Sequence, residues 1–172
     1  MGAPFALTSG ERDLLLGARR IVLCTIGPDG SARPVPVCFA LGESAAATCL
    51  YTPLDDKPKR VADPRRLARV RDIEARAEVT LLVDRWDEDW SRLAWLRLDG
   101  IASLLEPGES SESAEHATPA AEHAAAAAAL RARYPQYDGH DLAHRPLIRV
   151  VLTGSVYWDA QEAVAARRRV IP

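Results

Sequence analysis

Lysine is almost missing from this chain: only Lys57 and Lys59 occur in 172 residues, and arginine carries the rest of the positive charge. Aromatic residues make up 6% of the sequence, which makes its four tryptophans stand out. Cys24, Cys38 and Cys49 are an odd number with no close pairing. They sit in apolar runs, where cysteine acts as a small buried hydrophobe, so no disulfide framework is expected. No apolar run approaches the ~20 residues that a membrane-spanning helix needs. The opening MGAPFALTSGERDLL has no basic stretch followed by an apolar one, so no signal peptide and a cytoplasmic location are expected. A net charge of −2 argues against a general nucleic-acid binder, which would be strongly basic. No Gly-x-Ser-x-Gly occurs, so a serine hydrolase is not indicated.

The composition that remains is that of a soluble globular protein, and the length suits one domain over residues 1–172 with a core at about 20–160. Thr8 and Glu11 have capping-box spacing, predicting a helix to about Ala18. IVLCTI reads as a buried strand, Gly27-Pro28-Asp29-Gly30 as a turn, and Ser31 to Leu41 as the return strand, its Pro34 and Pro36 requiring an edge or a bulge. Gly42 to Ala47 reads as a loop, and Thr48 to Thr52, Glu78 to Trp86, Ala94 to Leu105 and Leu147 to Trp158 as further strands. Asp63-Pro64 starts a helix with Leu67, Val70 and Ile73 on one face and arginines on the other. Residues 106–117 are acidic and low in complexity, predicting a mobile loop before a helix from Thr118-Pro119 to about Tyr134. The sum is a mainly β protein with flanking helices, a six-stranded antiparallel barrel.

Chemistry concentrates where the third strand ends. Tyr51-Thr52 leads through an irregular loop to Lys57, Lys59 and Arg60, and eight Lys or Arg fall between Lys57 and Arg76. Hydroxyls, cations and a following helix N-terminus suit a phosphate group, and a solvated basic loop and helix face suits the same residues. Trp86, Trp90 and Trp95, with Trp158 apart, suit either a wall against an aromatic ring or packing in the core or an interface. Asp87-Glu88-Asp89 reads as a solvated turn, and the nearby Gly139 and prolines interrupt the helix that His140 and His144 would need to share a metal, so none is expected.

The order and spacing of four stretches carry a resemblance: CTIGPDGSARPVPVCFAL, LYTPLDDKPKR, VTLLVDRWDEDWSRLAWLRLDGIASLL and IRVVLTGSVYWDA. Together they resemble the split β-barrel flavin-binding proteins related to pyridoxamine 5′-phosphate oxidase, and more narrowly their F420-dependent branch. The resemblance implies a Greek-key split barrel and a homodimer with a cofactor groove between subunits. It implies that the backbone of Pro36, Val37 and Cys38 lies along the isoalloxazine ring, and that Tyr51, Thr52, Lys57 and Lys59 hold the ribityl phosphate. It further assigns Trp95 and Arg97, before the glycine of the fifth strand, and Trp158 to the cofactor groove. Arg60, with Arg65, Arg66 and Arg69 on the exposed side of the next helix, would extend a basic track for the carboxylate tail of F420. Two departures stand out: Lys-Pro-Lys replaces the oxidase's Arg-Lys pair, and its C-terminal Arg-x-His is absent, so vitamin B6 oxidation is not implied. The implied activity is hydride transfer between F420 and a small organic substrate. The alternatives are an FMN-dependent oxidoreductase of the same fold and a non-catalytic carrier of flavin, F420 or haem. No nucleic acid or membrane partner is expected.

Overall fold

The computed structural model describes residues 5–44, 47–55, 63–108 and 118–162. The Thr8 amide donates to Glu11 Oε2 at 2.7 Å and the Glu11 amide to Thr8 Oγ1 at 3.4 Å, the reciprocal cap that starts α1 (Ser9–Gly17). β1 (Ile21–Ile26) and β2 (Ala32–Val37) form a hairpin, followed by a second one of β3 (Ala40–Ser44) and β4 (Ala47–Pro53). Asp63 caps a 3-10 turn (Pro64–Arg66) that leads into α2 (Ala68–Ala75). β5 (Glu78–Arg85) and β6 (Ala94–Leu105) are joined by a loop holding the short turn Trp90–Arg92. α3 (Pro119–Arg133), a 3-10 turn (Pro135–Gly139) and β7 (Leu147–Asp159) complete the order.

All seven strands belong to one antiparallel sheet in the order β2-β1-β5-β6-β7-β4-β3. Its two edge strands, β2 and β3, are consecutive in the chain and are separated only by Cys38 and Phe39. A link that short spans roughly 11 Å at most, so the sheet must roll until its opposite edges meet at that corner. No strand pairing joins β2 to β3 among the described residues, which leaves the barrel split along this seam.

The strand count corrects the expected six. The run Ser31 to Leu41 is broken at Cys38–Phe39, and residues 42–44 of the expected loop belong to β3. The Phe39 amide leaves the ladder to donate to the Tyr134 hydroxyl at 3.0 Å. Phe39 itself is buried, with the Arg133 guanidinium 4.7 Å from its ring centre. Pro34 and Pro36 donate nothing to a ladder, as an edge strand tolerates.

The barrel interior is one apolar cluster, built on Leu23, Leu50, Leu81, Leu96, Leu98 and Val150 and completed by Leu14 and Leu15 of α1 and Val70 and Ile73 of α2. A second cluster lies outside the barrel, where α3 covers Ala40, Cys49, Tyr51, Leu105 and Leu147. The β6–β7 ladder shifts register between Asp99 and Gly100. A β-carbon on Gly100 would stand 2.6 Å from Val150 Cγ1 and 2.7 Å from the Val151 carbonyl oxygen, so this crossing admits no side chain. Among the described residues no helix is long and apolar enough to cross a membrane.

Candidate functional site

Edge strand β2 turns Arg33, Val35 and Val37 partly inward, whereas Pro34 and Pro36 are exposed. At its end Cys38 is half-buried against the outer cluster, beside Tyr137. The 3-10 turn Pro135–Gly139 brings Tyr137 there, its hydroxyl donating to Asp55 Oδ2 at 3.2 Å and its ring meeting His140 edge-on at 5.4 Å. Burial, then the Cys38 thiol and the Asp55 carboxylate, push the Tyr137 phenol far above its ordinary range. Asp55 is itself buried.

Arg69 of α2 reaches the same place. Burial pulls its pKa down and the Asp55 charge pushes it back up. Its Nε is buried and makes no hydrogen bond, a costly condition for a guanidinium unless an acceptor completes it. Arg69 was expected on an exposed face; the structure turns it inward instead, because α2 packs Val70 and Ile73 into the barrel and the adjoining side chain follows the helix into the gap beside Asp55. Arg65, expected in the same track, is bound by Glu106 through Nε at 3.0 Å and Nη2 at 2.6 Å. Lys57, Lys59 and Arg60 lie outside the described residues, as do residues 109–117 of the acidic loop; Asp55 is the last described residue before the basic segment.

Tyr51 and Thr52 are both buried in β4. Tyr51 lies under α3, donating to Glu122 Oε1 at 2.8 Å; Arg149 Nη1 donates to Glu122 Oε2 at 3.2 Å and its Nε to Ser103 Oγ at 3.3 Å. Burial first, then Glu122, raise the Tyr51 phenol well beyond its usual range. The hydroxyl that sequence reasoning assigned to a phosphate is thus engaged by a helix carboxylate here.

The remaining candidates form a second group. Trp95 and Trp158 are cross-strand partners on β6 and β7, each a little over a third exposed at 37% and 39%. Arg97 is exposed on the same face. The ladders connect Pro36, Val22, Leu82, Arg97 and Val156 in one row across five strands. Pro36 and Arg97 are therefore three strand spacings apart along the sheet, roughly 14 Å. Trp86 and Trp90 are still more exposed, and none of the four tryptophans enters either apolar cluster, which removes core packing as their explanation. His144 pairs with Asp141 at 2.9 Å, away from His140 on Tyr137.

Sequence reasoning missed Asp55 and Tyr137. They are 82 positions apart, and nothing in PQYDG marks its tyrosine as the partner of an aspartate before the basic segment.

The profile of a family described as pyridoxamine 5′-phosphate oxidase matches residues 7–159. No curated protein matches the sequence significantly. Among solved structures, the conserved hypothetical protein Rv2991 from Mycobacterium tuberculosis superposes with a TM-score of 0.63 at 19% identity, over 95% of this chain and 91% of that one. An F420 reductase superposes at 0.54 and 17% identity, over 87% of this chain and 98% of that one. HutZ, the haem storage protein from Vibrio cholerae, does so at 0.57 and 12%, over 91% of this chain and 99% of that one. At such identities these structures share the fold.

Proposed function

Since the chain belongs to the pyridoxamine 5′-phosphate oxidase family, we propose that it is a homodimeric oxidoreductase that carries F420 and moves hydride between it and a small organic substrate. The observation that carries this reading is the buried, unpartnered Nε of Arg69, set beside Asp55 where the chain enters the segment of Lys57, Lys59 and Arg60. An anionic oxygen is the acceptor that this donor lacks, and a ribityl phosphate supplies one with the charge to match. Pro36 and Val37 end the adjoining edge strand and Cys38 follows it, a backbone surface on which a flat ring could lie. Trp95, Arg97 and Trp158 stand three or more strand spacings from that strand across the same sheet, and in this reading they come from the second copy. Bound F420 supplies the two-electron chemistry. The residues named here hold its phosphate, shield its ring and leave one face open to the substrate.

FMN is the second reading, favoured by one observation: the Glu106 carboxylate already occupies Arg65, which shortens the basic track available to the F420 tail. The test is a fluorescence titration of wild type, Lys57→Ala and Arg69→Gln with F420, FMN and riboflavin. Both variants are expected to weaken F420 and FMN by ~1–3 kcal/mol, the worth of a charge-assisted contact, and to leave riboflavin, which has no phosphate, unchanged. Tighter binding of FMN than of F420 by wild type would favour the second reading, and saturable binding of haem alone would sink both.

A further inference from the structure

A cleft of about 650 Å³ lies between the β1–β2 turn and the C-terminal end of α2, and Arg33, Arg71 and Arg76 are among the residues that line it. Arg33 is set from beneath. Its Nη1 donates to Asp72 Oδ1 at 3.2 Å, and the buried Asp72 carboxylate also accepts from Thr25 Oγ1 at 2.9 Å. The guanidinium lies over Gly27, where a β-carbon would come within 2.5 Å of Nε. Both carboxylates on the lining are already engaged, Asp72 by these two donors and Asp29 by the Ser31 amide and hydroxyl at 3.1 and 2.6 Å and by Arg33 Nη2 at 3.8 Å. Arg71 and Arg76 are exposed, and among the described residues neither side chain has a hydrogen bond or ion pair. Other arginines of this chain are taken up: Arg65 by Glu106, Arg85 by Asp159, Arg149 by Glu122.

We propose that this cleft binds a compact polyanion, a ligand with two or more phosphoryl or carboxylate groups close together. One arginine is preset and two are uncommitted, and all three line a space of the size that small-molecule sites have, roughly 300–1,000 Å³. The planar fork of arginine suits phosphate and carboxylate oxygens alike. A singly charged ligand would leave at least one fork unmatched, which is why the multiple charge is part of the assignment. The site does not rest on the identity of the cofactor. The anion has two possible sources, a free metabolite or the glutamate tail of a bound F420.

Calorimetric titration with pyrophosphate and with citrate at low salt tests it. Wild type is expected to take up one anion per chain. The double variant Arg71→Ala/Arg76→Ala should bind at least roughly tenfold more weakly, the worth of one lost charge-assisted contact. Both side chains are exposed, so its melting temperature should stay unchanged. Gly27→Ala, whose methyl displaces the Arg33 guanidinium, should weaken the anion as well. Displacement of pyrophosphate by F420 but not by FMN identifies the tail as the source, and displacement by neither identifies a free ligand. Displacement by FMN would put the anion in the cofactor's phosphate position and overturn the assignment. Equal binding by the double variant, or no saturable binding in the millimolar range, would also overturn it.

Discussion

Asp159 closes β7 by accepting from four donors: Arg85 Nη2 at 2.9 Å, the Tyr157 hydroxyl at 3.2 Å, and the amides of Gln161 and Glu162 at 2.8 and 3.3 Å. Burial alone would raise its pKa, but the donors outweigh burial and hold it below the ordinary aspartate value. The same neighbourhood, burial first and then the Asp159 charge, pushes the Tyr157 phenol up to about 12. A carboxylate whose folded pKa is depressed stabilises the fold fully above its unfolded value, near pH 4, and progressively less as pH falls below it. Asp159→Asn is therefore expected to cost ~1–3 kcal/mol at neutral pH and to flatten the loss of stability below about pH 4. Urea denaturation across that range measures both, and an acid limb as steep as that of wild type would show that other carboxylates dominate it. In the sequence Asp159 is one acid after Tyr-Trp, and nothing local distinguishes it from a solvated one.

At the scale of elements, β6 is the middle strand of the sheet. Its residues alternate between buried and more exposed over Ala94–Ala102, and the alternation of apolar and polar side chains made the strand readable from sequence alone. The register shift at Asp99/Gly100 was not readable, because it depends on how closely Val150 and Val151 approach from β7. Gly100→Ala is expected to destabilise by ~1–3 kcal/mol through overpacking against backbone, read as a lower denaturation midpoint with an unchanged slope. Little or no change would mean that the bulge relaxes freely. α1 and α3 announce themselves by local chemistry, the Thr8–Glu11 box and the Thr118-Pro119 start. β3 does not, since Gly42 and Glu43 look like a loop until β4 supplies their partners. The site follows the same rule. Edge strand β2 was legible from its prolines, whereas the inward turn of Arg69 and the Tyr137–Asp55 bond are long-range contacts with no local signature.

The whole molecule exposes an apolar face that α3 does not reach: Leu82 at 44%, Val156 at 41% and Ile101 at 43%, with the Trp95–Trp158 pair beside them. Exposed apolar side chains gathered around a single arginine, here Arg97, mark an interaction site more often than a solvated one. The dimer of the proposed function would cover it. Leu82→Asp combined with Val156→Asp is expected to leave the circular dichroism spectrum unchanged and to give monomers in sedimentation at micromolar concentration, with cofactor binding lost. A wild-type chain that sediments as a stable monomer would count against both the dimer and the shared groove.

The two-residue seam at Cys38–Phe39 also bears on how the chain finds this shape. β1 must locate β5, and β4 must locate β7, each across a long stretch of sequence, and pairings of that kind slow folding because loop closure comes before its reward. The seam ties the β1–β2 hairpin to the β3–β4 hairpin. When either hairpin docks, the other is tethered to it by a link that spans roughly 11 Å at most. Its search becomes intramolecular, at the high effective concentration that a short tether confers. The link that leaves the barrel split is thus also the one that couples two strand encounters distant in sequence.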